Sequence, residues 1–261
     1  MELCCRSSSA SAMSAVLSLL VLSPQVHASV TWSNAEQFTV TGIGYKIGGT
    51  EFPDVLYDVD TAGLGNADLE VEVDGYGASG QAELASAFLA NAFEGTGSAS
   101  VTTLWQEAPA DVDEVFVGAI SSFTLEFATT TPSTQLTIDG LLTIDIVFGP
   151  EPEESLAGIR LISGADILWE EALVGTSVSE FASLPLSGSF ALAADQLYRL
   201  EVYAMSGGRS DSRVATADLS SHWTLDVAIT EDLPAVPVPG ALLLCTVGAS
   251  AVGWLSRRRS L

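Results

Sequence analysis

Hydrophobic and polar residues alternate along most of this chain with a period of two. Leu69, Val71 and Val73 interleave with Asp68, Glu70, Glu72 and Asp74, and Phe123, Leu125 and Phe127 with Thr124, Glu126 and Ala128. Tyr198, Leu200, Val202 and Ala204 are spaced by Arg199, Glu201 and Tyr203; Trp223, Leu225, Val227 and Ile229 are spaced by Thr224, Asp226 and Ala228. Successive side chains of a strand point to opposite faces, so each run predicts a strand with one buried face. One wet side is the signature of antiparallel sheet. The outward positions are disproportionately acidic, which places much of the charge on the solvent faces of sheets. Turn signals recur at Gly48-Gly49, Gly63-Leu64-Gly65, Gly75-Tyr76-Gly77, Gly149-Pro150 and Gly207-Gly208. That cadence predicts an all-β fold, a single antiparallel β-sandwich or jelly-roll-like domain.

Two places break the pattern. Between Gly80 and Phe93, Leu84, Phe88 and Ala92 stand at i, i+4 spacing in an Ala-rich stretch, which predicts one short helix across a sheet edge or sandwich end; an Ala-rich loop is the alternative. Around Gly140, Leu136, Ile138, Leu142, Ile144 and Ile146 keep one parity straight through the glycine. Either a three-residue loop or one long strand kinked at Gly140 satisfies this, and usual strand lengths favour the loop.

The two ends read differently from the middle. Arg6, an apolar run from Ala12 to Leu22, a Ser23-Pro24 break and small residues at Val26-His27-Ala28 form a secretory signal peptide, with cleavage expected between Ala28 and Ser29. At the other end, Val236-Pro237-Val238-Pro239 precedes an uncharged run from Ala241 to Leu255, followed by Arg257, Arg258 and Arg259. A helix over that run rises about 23 Å at 1.5 Å per residue, short of the roughly 30 Å bilayer core. The arginines would stay cytoplasmic, leaving the preceding domain outside. The expected organisation is therefore a signal peptide over 1–28, an acidic β-sandwich over 29–233 and a sorting or anchor tail over 234–261.

The Pro-headed apolar run with its arginine triplet resembles the PEP-CTERM sorting signals, in particular their VPLPA-type variant. Val238 replaces the glutamate of the commonest form and Gly240 stands where the variant has alanine. The resemblance covers the tail alone. It implies export through the Sec translocon, trimming by signal peptidase, and transient insertion in the inner membrane of a Gram-negative bacterium. An exosortase would then process the tail and deliver the protein to the cell surface or exopolysaccharide matrix. A plain C-terminal anchor is the alternative reading of the same residues.

Removing both ends changes the available chemistry. Cys4, Cys5 and Cys245 all fall outside the central segment, which excludes thiol nucleophiles, thiolate metal sites and disulfides from it. His222 is its one histidine, so a His-rich zinc or copper site cannot form within one chain. The segment keeps five basic against thirty-two acidic residues, a net charge of −27 where the whole chain has −24. Nucleic acid and anionic lipid are therefore poor partners.

Candidate chemistry is sparse. Asp58-Val59-Asp60-Thr61-Ala62-Gly63 begins like an EF-hand loop but fails at Ala62 and at Leu69. No cofactor is expected; calcium is the one ion the acid-rich turns allow, with Asp54, Asp58 and Asp60 as candidate ligands. No G-x-S-x-G elbow occurs, and a Ser-His-Asp set would have to use His222 with Ser221 and Asp226. Trp32, Trp105, Trp169 and Trp223 are candidates for stacking on sugar rings, although Trp223 shares the parity of Leu225 and Val227 and is expected in the core. The sequence thus points to a non-catalytic surface or matrix protein. A carbohydrate-binding or adhesive module, calcium-assisted or not, comes second with extracellular polysaccharide as partner, and a secreted hydrolase third.

Overall fold

The computed structural model describes residues 30–104, 111–131, 134–148, 154–175, 179–210 and 216–231. These form twelve strands and no helix: β1 (Val30–Ile47), β2 (Thr50–Ala62), β3 (Ala67–Gly75), β4 (Ala78–Phe88), β5 (Ala92–Leu104), β6 (Glu114–Thr129), β7 (Thr134–Phe148), β8 (Glu154–Ser163), β9 (Asp166–Gly175), β10 (Glu180–Leu192), β11 (Leu197–Ser210) and β12 (Thr216–Glu231). They build two six-stranded antiparallel sheets. Sheet A runs β2-β1-β6-β11-β8-β9 and sheet B runs β10-β7-β12-β5-β4-β3. The sheets pack face to face as a sandwich. Among the described residues, all twelve strands and the buried core lie within 30–231.

The alternating runs behave as their pattern requires. Leu69 and Val71, Phe123 to Phe127, Tyr198 to Ala204 and Trp223 to Ile229 put their apolar set inside and leave no more than a few per cent of it exposed. At the centre Phe93 stacks on Phe123 with ring centroids 4.2 Å apart, and Phe123 faces Trp223 at 6.3 Å. Gly48-Gly49 joins Ile47 to Thr50 with both glycines at positive φ, the twist a two-residue hairpin turn needs. Tyr76-Gly77 does the same between Gly75 and Ala78.

Three sequence expectations are corrected. The helix over 80–93 is instead β4, a turn, and the start of β5. Ala82, Leu84 and Ser86 point inward and Glu83 and Ala85 outward; four is a multiple of two, so the i, i+4 spacing of Leu84, Phe88 and Ala92 equally fits a strand. Gly140 lies in mid-strand. Through Gly140, β7 keeps its register on both sides, with Gly140 opposite Leu186 of β10 and Leu225 of β12, and a Cβ at Gly140 would overlap the Thr224 carbonyl oxygen. The glycine permits close backbone approach, and the long strand wins over the favoured loop. Gly207-Gly208 is likewise interior to β11, with Gly207 opposite Gly118 of β6. The turn signal at Gly149-Pro150 lies outside the described residues.

Candidate functional site: two unlike outer faces

The sandwich presents two broad outer surfaces with opposite chemistry. On sheet B the outward positions carry Asp68, Glu70, Glu72 and Asp74 on β3, Glu83 on β4, Glu94 on β5, Asp139 and Asp145 on β7, and Asp218 and Asp226 on β12. No lysine or arginine lies among them. Asp139, Asp226 and Glu94 occupy directly opposed positions on three neighbouring strands, and Glu70 opposes Glu83. Like charges directly opposite are destabilising. The first three line a shallow trough of about 640 Å3 that opens to solvent, floored by Gly140 and Gly95. Gln81 partly offsets the second pair by donating to Glu83 Oε1 at 2.7 Å.

His222 lies half-buried on this same face, opposite Ser98 of β5 and Thr143 of β7. Burial lowers its imidazole pKa below the ordinary value, against opposing pulls from the Gly97 backbone and the Glu83 carboxylate. Ser221 points the other way. Its hydroxyl is buried between the sheets, 3.1 Å from Ser206 Oγ, so Ser221, His222 and Asp226 form no nucleophile-base pair. Because its folded pKa is lowered, the native state binds less proton than the unfolded chain as pH falls through about 6.5. Stability should therefore drop as pH falls through that value. His222→Gln should flatten that slope while changing stability at neutral pH by at most about 1 kcal/mol; an unchanged slope in thermal melts would remove His222 as its source.

Sheet A faces solvent with apolar side chains. In β1 the polar residues Gln37, Thr39 and Thr41 point into the sandwich and are buried. Gln37 Nε2 donates to the carbonyls of Gly63 at 2.7 Å and Gly65 at 3.0 Å, and Ser86 Oγ donates to its Oε1. Phe38 and Val40 consequently point outward. Register aligns Val59, Val40, Ile120, Met205, Leu156 and Val174 into one apolar ridge that crosses all six strands. Beside it, Tyr57, Gly42, Gly118, Gly207 and Glu154 form the next row, the three glycines flooring a trough of about 390 Å3. The described basic side chains all lie on this sheet, at its margins. Lys46 and Arg209 pair with Glu114 at one end; Arg160 and Arg199 pair with Glu201 at the other. The acidic outward pattern expected from sequence thus holds for sheet B and fails across the middle of sheet A. Alternation in β1 gave no usable signal, because Ile43 and Tyr45 continue the parity of Thr39 and Thr41 while Gly42 and Gly44 continue that of Val40.

The candidate sugar-stacking residues are dispersed. Trp223 is fully buried. Trp32 packs edge-on against Phe88 and Phe127, and Trp169 against Phe190; both are partly buried against the core. Trp105 lies outside the described residues. Asp58 and Asp60 sit in β2, each carboxylate accepting from the next backbone N–H at 2.9 and 2.8 Å, which is strand geometry and not an EF-hand loop. The Asp54 side chain is outside the described residues, as are Ala28, Ser29, the tail motif at 236–239 and Arg257 to Arg259. No helix among the described residues is long and apolar enough to cross a membrane.

No family model and no curated protein matches the chain. Among solved structures, it is similar to the enzymatically active domain of tailspike protein 4 from bacteriophage CBA120, with 10% identity over 64% of this chain and a TM-score of 0.24. The match spans only 19% of that tailspike chain. It is also similar to structures of infectious bursal disease virus, the Gx strain with 11% identity, 86% of this chain and 73% of that one at a TM-score of 0.21, and the Gt strain with 11%, 89% and 74% at 0.19. Likeness this slight identifies no shared fold.

Proposed function

We propose that this is an exported, non-catalytic protein of the cell surface or exopolysaccharide matrix, delivered by an exosortase-like processing system. The tail carries this reading: a Pro-rich head at Val236 to Pro239, an apolar run too short for a comfortable membrane span, and Arg257, Arg258 and Arg259 behind it. The β-sandwich supports it from the other side. Its acidic face is open and solvated, and its carboxylates line no deep, water-excluding pocket among the described residues, whereas a raised-pKa catalytic acid needs such shelter. A carbohydrate-binding module is the second reading, favoured by Tyr57, which stands 57% exposed at the end of the sheet A trough.

Processing tests the proposal. In its host, the mature protein should begin at Ser29 and lack Ala241 to Leu261, and joint replacement of Pro237 and Pro239 should leave unprocessed chains in the inner membrane. Intact-mass data showing surface material that retains the tail would overturn it.

A further inference from the structure

The geometry points to the outer face of sheet A as a self-association surface, on which a second copy of this chain docks face to face about a two-fold axis. The ridge of Val59, Val40, Ile120, Met205, Leu156 and Val174 is apolar along its whole length, and Val59 and Val174 at its ends are 45% and 53% exposed. A contiguous apolar band of this kind on a soluble sheet is an interaction surface by the usual standards of surface composition. Its fit to a second copy follows from shape. A ridge and a trough lie side by side, both running across the strands. A two-fold axis in the interface plane, parallel to the rows and midway between them, lays the ridge of each copy into the trough of the other. Such an isologous contact is self-complementary and closes as a dimer.

The trough looks kept open. Elsewhere on the same face, glycines are covered by neighbouring rings, Gly44 by Phe116 and Gly158 by Tyr203. Gly118 has no atom within 4 Å of where a Cβ would stand, and Gly207 has only the Val117 carbonyl oxygen, at 4.0 Å. Neither has the positive φ that would demand glycine. Glycine in a strand interior destabilises the strand relative to alanine, and close approach of another backbone or ligand is a usual reason for it.

Charge selects the occupant. The ridge, the trough row and the row of Thr61, Phe38, Ser122, Tyr203, Gly158 and Ala172 beyond it contain a single charge, Glu154, at the trough's end. On a segment carrying −27, this is, among the described residues, the broad surface through which two identical copies can meet without opposing rows of carboxylates. Area is adequate too. Six strands about 4.8 Å apart and three rows about 6.8 Å apart cover roughly 600 Å2 per copy, the lower end of the about 600–1,000 Å2 per partner of a standard interface.

The test is sedimentation equilibrium of residues 29–236, once circular dichroism and a cooperative melt have shown the segment folded, at about 100 μM protein and at about 150 and 500 mM salt, where screening relieves the repulsion between copies. The doubled mass should appear and strengthen with salt. Gly118→Gln, whose Cβ has no neighbour within 4 Å in the monomer and whose side chain would occupy the trough, and Met205→Gln on the ridge should each return it to the single mass with the melting temperature preserved. Thr224→Gln on sheet B should leave the dimer intact. A wild type that stays monomeric at both salts overturns the proposal, as does a dimer that survives both sheet A variants. Monomeric protein retarded by an immobilised neutral polysaccharide, with loss of retardation in Gly118→Gln, overturns it in favour of a glycan-binding face.

Discussion

Trp223→Ala should destabilise the sandwich by about 3–5 kcal/mol, the range for emptying a large buried aromatic site and a large part of the 5–15 kcal/mol that holds a typical domain folded. Trp223 has no exposed surface and lies between the sheets against Phe123. The strand beside it is shaped around the ring: β5 places Gly95 and Gly97 opposite Leu225 and Trp223, and a Cβ at Gly97 would overlap the indole nitrogen and Ser121 Oγ. The space therefore cannot be refilled by neighbouring side chains, since the nearest positions on β5 have none. Gly97→Ala probes the same fit from the opposite direction and should cost about 1–3 kcal/mol by overpacking. Trp223→Phe should be milder than Trp223→Ala, because Nε1 has no hydrogen-bond partner to lose. Combining Gly97→Ala with Trp223→Phe should cost less than the sum of the two, the smaller ring yielding room for the added methyl. Denaturant midpoints at unchanged slope are the measurement; a Trp223→Ala loss under about 1 kcal/mol would mean that the two sheets are not closed around this residue.

What the sequence made legible was whatever a period of two could carry. Trp223 announced itself as core through the parity of Leu225 and Val227, and the runs at 69–73, 123–127 and 198–204 became strands with the expected inner face. The errors arise where periodicity is degenerate. Spacing of four suits helix and strand alike, so 80–93 was ambiguous until the ladders of β4 with β3 and β5 decided it. Glycine is equally mute. Gly48-Gly49 turns the chain, Gly140 admits a neighbouring backbone, and Gly207 keeps a trough open, three different duties for one residue type. The apolar face of sheet A was invisible for a further reason: its ridge draws one residue from each of six strands far apart in sequence, and only register brings them into line. The polar inner residues conceal it further, since the partners that accommodate the burial of Gln37 and Thr41, Ser86 and the carbonyls of Gly63, Gly65 and Gly118, lie 26 or more positions away. The tail that resembles a sorting signal is the reverse case, a pattern of local composition that needs no register at all.

Low ionic strength should weaken the sandwich markedly, and the acidic face of sheet B explains where. Asp226 stands between Asp139 and Glu94, and Glu70 opposes Glu83, so three directly opposed like-charge contacts lie on adjacent strands. Each such contact costs a few tenths to about 1 kcal/mol, on top of the general repulsion of a −27 unit. Raising salt from about 10 to 150 mM shortens the screening length from about 30 to 8 Å, which leaves neighbouring strands coupled but removes most repulsion across the face. A rise in melting temperature of roughly 4–8 °C is expected, taking about 2 kcal/mol at the 2–4 °C per kcal/mol of a domain this size. Asp226→Thr, which removes the central charge and adds a β-branched residue suited to a strand, should raise the melting temperature at low salt and shrink the salt effect, while Glu51→Gln on sheet A, where the carboxylate lies 3.9 Å from Lys46, should do neither. Calcium raising the melting temperature well beyond matched sodium chloride would show that the carboxylate row binds the ion specifically, and the loss of that excess in Asp226→Thr would place the ion there. A melting temperature indifferent to salt would mean that the acidic rows are not strained, and the stability of the sandwich would then rest on its core alone.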